Sequence, residues 1–320
     1  MPAPHTLRRR GGIVLALAAA AALVLSACSS TSDPSASSST SGEAADFGEV
    51  SVQYSWIKNE EFAGEFYAYE NGYYDEAGFS NVVGVAGPDT GVAKLLSGSV
   101  QFALTDAASV GAAVAEQDAP LKIIATTFQK NPFTILSLKD GANIATPQDL
   151  IGKKIGVQDS NASVFAALLN ANGIDASEVE IVPVDFDPTP LMEGQVDGFM
   201  AYLTNESITV AAAGFDVANL PFADNGLPFV AETITTTDEM IANEPEKIKA
   251  YLKAVVQGWQ AALADPEAAT TAAVDDYGKE QNYDFEQQLN AFNIQATLQV
   301  TPETEVNGLL TMSDDLIAAN

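Results

Sequence analysis

Apolar and polar positions alternate along most of the chain with the periods of strands and helices in turn. Residues 50–56 alternate apolar and polar side chains, as a strand does, and residues 62–77 then have a helical pattern that ends at Gly78. The same order continues with strands predicted at 81–85 and 100–104, helices at 90–97 and 107–117, and extended segments at 121–128 and 134–138. Strands that alternate with helices predict an α/β fold in which a mixed sheet is flanked by helices.

A second run of alternating strands and helices begins near residue 153. Strands are predicted at 153–158, 180–184 and 196–202, and helices at 162–172, at 206–213 and in a short segment that ends at Gly194. Residues 95–100 and 191–196 share one pattern, in which an apolar helix end is followed by a glycine and the start of a strand. This repeat predicts two similar α/β lobes, although a match of so few residues also arises by chance.

The last third of the chain is helical in pattern. One apolar face of residues 245–264 consists of Ile248, Leu252, Val255, Val256 and Trp259. We therefore expect Trp259 to pack in the core rather than to contact a ligand. We expect the C-terminal part to return to the first lobe, because a chain that crosses twice between lobes makes a hinge. Lobe one is then predicted to comprise residues 49–137 and 233–320, and lobe two residues 138–232.

The N-terminal segment has the pattern of an export signal. Three arginines at 8–10 precede an apolar run at 13–25, which is too short to span a bilayer comfortably, and Cys28 follows it. Residues 25–28, Leu-Ser-Ala-Cys, resemble the lipobox of bacterial lipoproteins. Residues 1–27 are predicted to be a signal peptide and Cys28 the lipidation site; the alternative is an ordinary signal peptide with a chance cysteine. Residues 28–48 are mostly small, polar or acidic and are predicted to be a flexible tether.

The composition excludes several kinds of chemistry. His5 is the only histidine, Cys28 is the only cysteine, and no arginine follows residue 10. Triads that need an imidazole base and zinc sites of the usual ligands are therefore excluded, whereas chemistry by paired carboxylates stays open. The net charge of −29 would repel nucleic acid and anionic membranes. It fits a solubilising surface or a preference for cationic or neutral ligands.

Five segments, in a fixed order, resemble one family over most of the chain. They lie at residues 64–79, 96–104, 149–157, 193–198 and 243–259, and the most specific is Asp-Leu-Ile-Gly-Lys-Lys-Ile-Gly-Val at 149–157. From about residue 50 to 316, the chain resembles the type II periplasmic binding proteins of the thiamine-precursor, riboflavin, alkanesulfonate, taurine and nitrate group. The resemblance implies a two-lobed Venus-flytrap fold, each lobe a mixed sheet flanked by helices, with the ligand between the lobes.

The resemblance also implies a biological role. It implies a monomeric, lipid-anchored subunit at the extracytoplasmic face of the cell membrane, which passes a small molecule to the permease and ATPase subunits of an ABC importer. No cofactor, metal, nucleic-acid partner or enzymatic activity is expected. The related pyrimidine synthases consume a histidine of their own, and this chain has none after residue 5. A lipoprotein sensor without a transporter is the other class considered.

Candidate ligand contacts follow from the rule that open α/β sheets bind ligands beyond the carboxyl ends of their strands. In lobe one they are Trp56, Asn59, Phe62, Thr105, Asp106 and Gln129. In lobe two they are Ser160, Phe186, Tyr202, Asn205 and Glu206. Trp56 either stacks on the ligand or packs in the core, Asp106 either binds the ligand or caps a helix, and Glu206 either accepts ligand hydrogen bonds or is a solvated acid at a helix start.

Aromatic side chains and carboxylates near these strand ends favour a small planar nitrogen heterocycle, such as a thiamine pyrimidine precursor or a riboflavin-like molecule. Residues 202–206 resemble the corresponding loop of the precursor- and flavin-binding members. The turn at 57–61 lacks the proline-containing run of the thiamine-precursor binders, so the exact compound stays open. A sulfonate, taurine or nitrate ligand is the alternative, although a cation commonly assists oxyanion binding and arginine is absent here.

Overall fold

The computed structural model describes residues 46–87 and 89–320 of the chain. The predicted signal peptide, the lipidation site Cys28 and all but the last residues of the predicted tether lie outside the described residues. Within the described ranges, no helix is both long and apolar enough to cross a membrane.

Two five-stranded mixed sheets form the framework of the described part of the chain. The strands are β1 (Gly48–Gln53), β2 (Phe79–Val85), β3 (Phe102–Thr105), β4 (Leu121–Phe128), β5 (Phe133–Leu138), β6 (Lys154–Val157), β7 (Glu180–Pro183), β8 (Gly198–Tyr202), β9 (Val217–Pro221) and β10 (Ala231–Thr237). The first sheet has the order β2-β1-β3-β10-β4 and the second the order β7-β6-β8-β5-β9.

The two sheets have the same pairing pattern. In the first, β1 is parallel to β2 and β3, and β10 is antiparallel to β3 and β4. In the second, β6 is parallel to β7 and β8, and β5 is antiparallel to β8 and β9. The predicted fold class, two α/β lobes that each contain a mixed sheet flanked by helices, is confirmed.

Helices connect the strands and complete the C-terminal part of the chain. They are α1 (Ala63–Glu70), α2 (Tyr73–Glu76), α3 (Val92–Leu96), α4 (Ala107–Gln117), α5 (Ala162–Ala171), α6 (Thr189–Met192), α7 (Glu206–Ala212), α8 (Asp238–Asn243), α9 (Pro245–Ala264), α10 (Pro266–Thr271), α11 (Phe285–Gln299), α12 (Pro302–Asn307) and α13 (Asp314–Ala319). Short 3-10 helices lie at Glu60–Phe62, Pro147–Leu150, Asp159–Asn161, Ala176–Glu178 and Lys279–Gln281, and a π-helix lies at Ala272–Tyr277.

The repeated helix–glycine–strand pattern occupies equivalent places in the two lobes. Gly98 follows α3 and Gly194 follows α6, with φ angles of 73° and 71° that favour glycine. The strands that come next, β3 and β8, both lie at the centre of their sheets. Their carboxyl ends therefore point toward equivalent positions, which is where the sequence places Asp106 and Tyr202.

The core of the first lobe is built on a close contact between α1 and α9. A Cβ atom at Gly258 would collide with the carbonyl oxygen of Gly64, and one at Gly64 would collide with the indole of Trp259. Trp259 itself is only 1% exposed, and its predicted place in the core is confirmed. The C-terminal helices thus pack on the first lobe, because Phe292 of α11 belongs to the same apolar cluster.

Strands β9 and β10 were not predicted from the apolar pattern. β10 contains Thr233, Thr235 and Thr236, which are fully buried although threonine is polar. The Thr233 hydroxyl donates a 3.0 Å hydrogen bond to the carbonyl oxygen of Thr105 on the neighbouring strand. Side-chain hydrogen bonds of this kind allow polar residues to be buried in a strand. Such a strand lacks the alternation of apolar and polar residues from which it could be predicted.

The chain passes between the two sheets twice, after β4 and before β10. β5 belongs to the second sheet from Phe133 onward, and β10 joins the first sheet from Ala231. The chain therefore passes from one sheet to the other a few residues before each of the predicted lobe limits, 137/138 and 232/233. The first predicted limit falls inside β5 and the second inside β10.

The helix predicted at 62–77 is interrupted. α1 ends at Glu70 and α2 starts at Tyr73, because Gly72 has a φ of 71° that breaks the helical path. Within α1, Phe66 is 1% exposed and Tyr69, three residues later, is 55% exposed.

Candidate functional site

A cavity of about 290 Å³ lies between the two sheets. Its walls are formed by segments that follow β1 and β3 of the first lobe and β6, β7 and β8 of the second, together with the first residues of β10. This is the position that the strand-end rule predicts for a ligand. All the predicted contact residues line the cavity except Phe62 and Gln129, and their contact with a ligand stays a prediction.

Aromatic rings form two walls of the cavity. Trp56 of lobe one and Phe186 of lobe two meet edge to face across the cleft, with ring centroids 4.6 Å apart. Tyr202 at the end of β8 lies edge-on to Phe133, also with centroids 4.6 Å apart. Rings in such walls offer faces and edges to a flat ligand ring, because aromatic pairs favour stacked and edge-to-face contacts.

Glu206 is held beside Tyr202 by the backbone. The backbone N–H of Tyr202 donates a 2.8 Å hydrogen bond to Oε2 of Glu206, and the side-chain amide of Asn205 lies 3.3 Å from Oε1. Glu206 is 6% exposed, so it is not the solvated helix-start acid that was one of its two predicted roles. Burial raises the pKa of Glu206 to about 7, against an ordinary value of 4.5.

Glu61 and Glu232 form a second acidic group in the same cavity. Their side chains are 7% and 3% exposed, and each carboxyl group perturbs the pKa of the other. The hydroxyl of Ser55 donates to both carboxyl oxygens of Glu232, at 3.0 and 2.9 Å. Burial raises the pKa of Glu61 to about 7 and the pKa of Glu232 well above its usual range, where the charge of Glu61 adds to the effect.

Asn59 and Asp106 have structural tasks as well as a place on the cavity wall. Oδ1 of Asn59 accepts a 3.2 Å hydrogen bond from the N–H of Glu61, which caps the short 3-10 helix. Asp106 caps α4, since its carboxylate accepts hydrogen bonds of 2.7 Å from the N–H and 2.6 Å from the hydroxyl of Ser109. The predicted capping role of Asp106 is therefore correct, and capping still leaves it at the cavity surface.

Phe62 does not reach the cavity. It is 1% exposed and stacks on Tyr54 with ring centroids 4.7 Å apart, inside the core of the first lobe. The short helix Glu60–Phe62 turns its third side chain inward, while Glu60 and Glu61 face the cleft. The prediction that Phe62 contacts the ligand was therefore wrong, because it assumed that both aromatic residues around this turn point the same way.

Gln129 also lies away from the cavity. Its side-chain amide donates hydrogen bonds to the carbonyl oxygens of Thr126, at 3.3 Å, and Thr311, at 3.0 Å. It thus ties the end of β4 to the C-terminal segment of the chain. The strand-end rule failed here because β4, although it runs in the same direction as β3, is the outer strand of its sheet and is separated from β3 by β10, and Gln129 at its end does not line the cavity.

Several cavity residues were missed by the sequence reasoning, and they lie in the first residues of a strand, in a 3-10 helix or just after a strand end. Ser55, Glu61, Phe133, Gln158 and Glu232 are the main ones. Glu232 has a φ of 50°, a left-handed backbone that is rare for a residue with a large side chain. One usable signal was present, since Glu232 is an isolated acid in a segment otherwise made of alanine, threonine and isoleucine.

The described residues that line the cavity include acids but no lysine, arginine or histidine. Lys94 does not line the cavity, but its ammonium lies 3.0 Å from Asp89, which does, and 2.5 Å from the side-chain oxygen of Gln53. Across residues 46–87 and 89–320, no cluster of three or more side chains has the arrangement of a metal site. The chemistry that the cavity offers is therefore aromatic contact and hydrogen-bond acceptance, without a fixed positive charge.

Residues 59–269 match the family model described as "NMT1/THI5 like". Among curated proteins, the chain is similar to the riboflavin-binding protein RibY of Chloroflexus aurantiacus, with 29% identity over 236 residues. This match covers 69% of the chain and 64% of that relative, which is less than two thirds of its length. The chain is also similar to the formylaminopyrimidine-binding protein of Halalkalibacterium halodurans, with 23% identity over 72% of the chain and 71% of the relative.

Among solved structures, the fold is similar to that of the periplasmic aliphatic sulphonate binding protein of Escherichia coli. The TM-score is 0.63 and the identity 15%, and the match covers 85% of this chain and 97% of the other. At this identity the likeness concerns the fold alone.

Proposed function

This chain belongs to the NMT1/THI5-like family, and from that premise we propose that it is the solute-binding subunit of an ABC importer that captures a small planar nitrogen heterocycle. The observation that carries the proposal is a cavity between two lobes whose walls are aromatic rings and buried carboxyl groups, with no cationic side chain among the described lining residues. Rings favour a flat ligand, and carboxyl groups favour a ligand with N–H donors.

Lobe closure is the mechanism that this arrangement supports. Trp56 and Phe186 belong to different lobes, and so do Glu61 and Glu206. A ligand that contacts all four therefore binds the closed arrangement more tightly than an open one, and its differential affinity shifts the population toward closure. The two crossing segments between the sheets serve as the hinge, and the permease recognises the closed lobes.

Within the heterocycle class, the pyrimidine and the flavin make different demands on space. A cavity of about 290 Å³ lies at the small end of the range of roughly 300–1,000 Å³ for ligand sites. This size favours a single-ring pyrimidine over a three-ring flavin with its side chain. The two relatives named above are a riboflavin-binding protein and a formylaminopyrimidine-binding protein. A flavin and an aminopyrimidine therefore both belong in the first test.

We place the protein at the extracytoplasmic face of the cell membrane, attached through a lipid on Cys28 and working as a monomer. The chemistry of the N-terminal segment supports this, since a lipobox-like sequence follows a basic and apolar leader. No catalytic step is part of the proposal. Mass spectrometry of the membrane-bound protein tests the anchor, because an acylated Cys28 as the first residue is expected and an unmodified thiol would contradict it.

A thermal-shift screen tests the ligand class. A ligand at a hundredfold excess over its Kd stabilises the folded state by about 2.7 kcal/mol, which raises the melting temperature measurably. We expect a shift with an aminopyrimidine or with riboflavin and none with taurine or nitrate. A shift with taurine or nitrate alone would favour the sulfonate and nitrate alternative, which the lack of a cationic side chain among the described lining residues argues against.

A transport assay separates an importer subunit from a sensor. The purified protein, added to vesicles that contain its permease and ATPase, is expected to stimulate ligand-dependent ATP hydrolysis. A protein that binds the heterocycle but never stimulates hydrolysis by any co-expressed transporter would instead be a sensor.

A further inference from the structure

We infer that the paired carboxyl groups of Glu61 and Glu232 are a recognition point for a positively charged nitrogen group on the ligand, separate from the point at Glu206. The inference rests on the proposed function, because it concerns the same cavity. It narrows the ligand from any planar heterocycle to one that carries two nitrogen donor groups, of which one is cationic.

The pair of buried carboxyl groups needs one positive charge, from a proton or from a ligand cation, to balance its own charge. Both carboxyl groups are more than nine-tenths buried and line the cavity, and each perturbs the pKa of the other. Two buried carboxyl groups in one site do not both ionise readily, because each negative charge disfavours the other. Ser55 holds Glu232 with a forked hydrogen bond to its two oxygens, so this side of the pair is fixed in place.

Among the described residues that line the cavity around the pair, none is cationic. The titratable and charged groups around it come from the neighbouring helices and strands and are all acids or phenols: Glu60, Glu65, Asp106, Tyr202, Glu206 and Tyr283. A buried carboxylate without a counter-charge is strongly unfavourable, so the empty site retains a proton. A ligand ammonium that displaces this proton restores the missing counter-charge.

The backbone at Glu232 is an independent sign that this side chain has a special task. Its φ of 50° lies in the left-handed region, within a strand whose pairing with β4 shifts register two residues later. A position of this kind is usually filled by glycine or asparagine, and a large residue is strained there. With this backbone, Glu232 lines the same cavity as Glu61.

Isothermal titration with two pyrimidines that differ in one substituent tests the inference. One probe carries an aminomethyl group, which is a cation at neutral pH, and the other carries a hydroxymethyl group of nearly the same size. We expect the wild-type protein to bind the aminomethyl probe at least about tenfold more tightly. Below the pKa of about 7 of Glu61, the preference should shrink by about tenfold per pH unit, because each bound cation displaces one proton.

Four isosteric variants locate the effect. Glu61→Gln and Glu232→Gln should abolish the preference for the aminomethyl probe, whereas Glu206→Gln should weaken both probes by the same factor. Glu65→Gln is the matched control, since Glu65 is equally buried on the adjacent helix but does not line the cavity. It should retain both affinities and the preference, and melting curves verify that each variant is folded.

The outcomes separate this inference from the proposed function. Equal affinity of the two probes for the wild-type protein, or a preference that persists in both Glu61→Gln and Glu232→Gln, would overturn the inference and leave the heterocycle function standing. If neither pyrimidine binds, the inference fails together with the proposal that the ligand is a pyrimidine. The inference is supported if the preference for the aminomethyl probe is lost in Glu61→Gln and Glu232→Gln and in neither of the other two variants.

Discussion

Trp56 and Phe62 are the two aromatic residues that flank the first strand–helix turn, and they lie in different environments. Trp56 is partly exposed, lines the cavity and meets Phe186 across the cleft. Phe62 is buried in the first lobe and stacks on Tyr54. The two side chains should therefore contribute to different properties, the first to ligand binding and the second to folding stability.

Trp56→Ala should weaken binding of the heterocycle by at least about tenfold, or about 1.4 kcal/mol, because the ligand loses a stacking face. The melting temperature of the ligand-free protein should change little. Titration calorimetry gives the affinity, and a melting curve without ligand gives the stability. A sharp fall in melting temperature with unchanged affinity would mean that Trp56 is a core residue.

Phe62→Ala is the matched comparison on the other side of the turn. It should lower the free energy of unfolding by about 3–5 kcal/mol, because it removes a large buried ring and leaves a cavity. The variant protein that remains folded should bind the ligand with nearly the wild-type affinity. A loss of affinity without a loss of stability would return Phe62 to the binding site.

At the scale of elements, the crossing of α1 and α9 decides how the first lobe is closed. Gly64 and Gly258 lie at the point of contact, where neither backbone leaves space for a methyl group. The close approach also places the indole of Trp259 directly over α1. A glycine weakens a helix by about 1 kcal/mol relative to alanine, so its presence in the middle of the long helix α9 requires such a packing reason.

Gly258→Ala should lower the free energy of unfolding by about 2 kcal/mol or more, since the added methyl group collides with the backbone of α1. Chemical denaturation measures the change. Gly111→Ala in α4 is the control, because nothing lies within 4 Å of the added methyl group there. That change should stabilise the protein by about 0.5–1 kcal/mol. Stabilisation by both changes would show that the helices do not cross so closely.

At the scale of the whole molecule, the buried acids make stability depend on pH. Glu61 and Glu206 have pKa values of about 7 and Glu65 of about 8, all against an ordinary 4.5, and burial is the first cause in each. Between these values the folded protein binds more protons than the unfolded chain. Stability falls with rising pH wherever the folded state binds more protons than the unfolded chain. The free energy of unfolding should therefore fall from about pH 4.5 to about pH 8.

The melting temperature of the ligand-free protein should therefore fall as pH rises from about 5 to about 8. Glu65→Gln should make this dependence shallower, because the variant cannot ionise at that position. Glu267→Gln, at an exposed position, should leave the slope unchanged and controls for the loss of one negative charge. A melting temperature that is constant or rises over this range would contradict the burial of these acids.

Much of the molecule was set by local pattern and by composition. The period of apolar residues predicted most strands and helices, and the helices at 107–117 and 245–264 have the predicted bounds. Composition alone removed histidine and arginine from any site after residue 10. These properties follow from the sequence because a period reports which face of an element is buried, and a residue type that is absent cannot act.

Only the tertiary structure decided what each buried face meets. Glu61, Glu206 and Glu232 come from three separate elements, and no local pattern predicts that they converge on one cavity. The same holds for Phe62, which turns toward Tyr54, and for the threonine-rich β10, which is buried through hydrogen bonds to its neighbours. Contacts between residues far apart in the chain depend on how whole elements pack. That packing depends on all the elements together, so no single segment of the sequence predicts it.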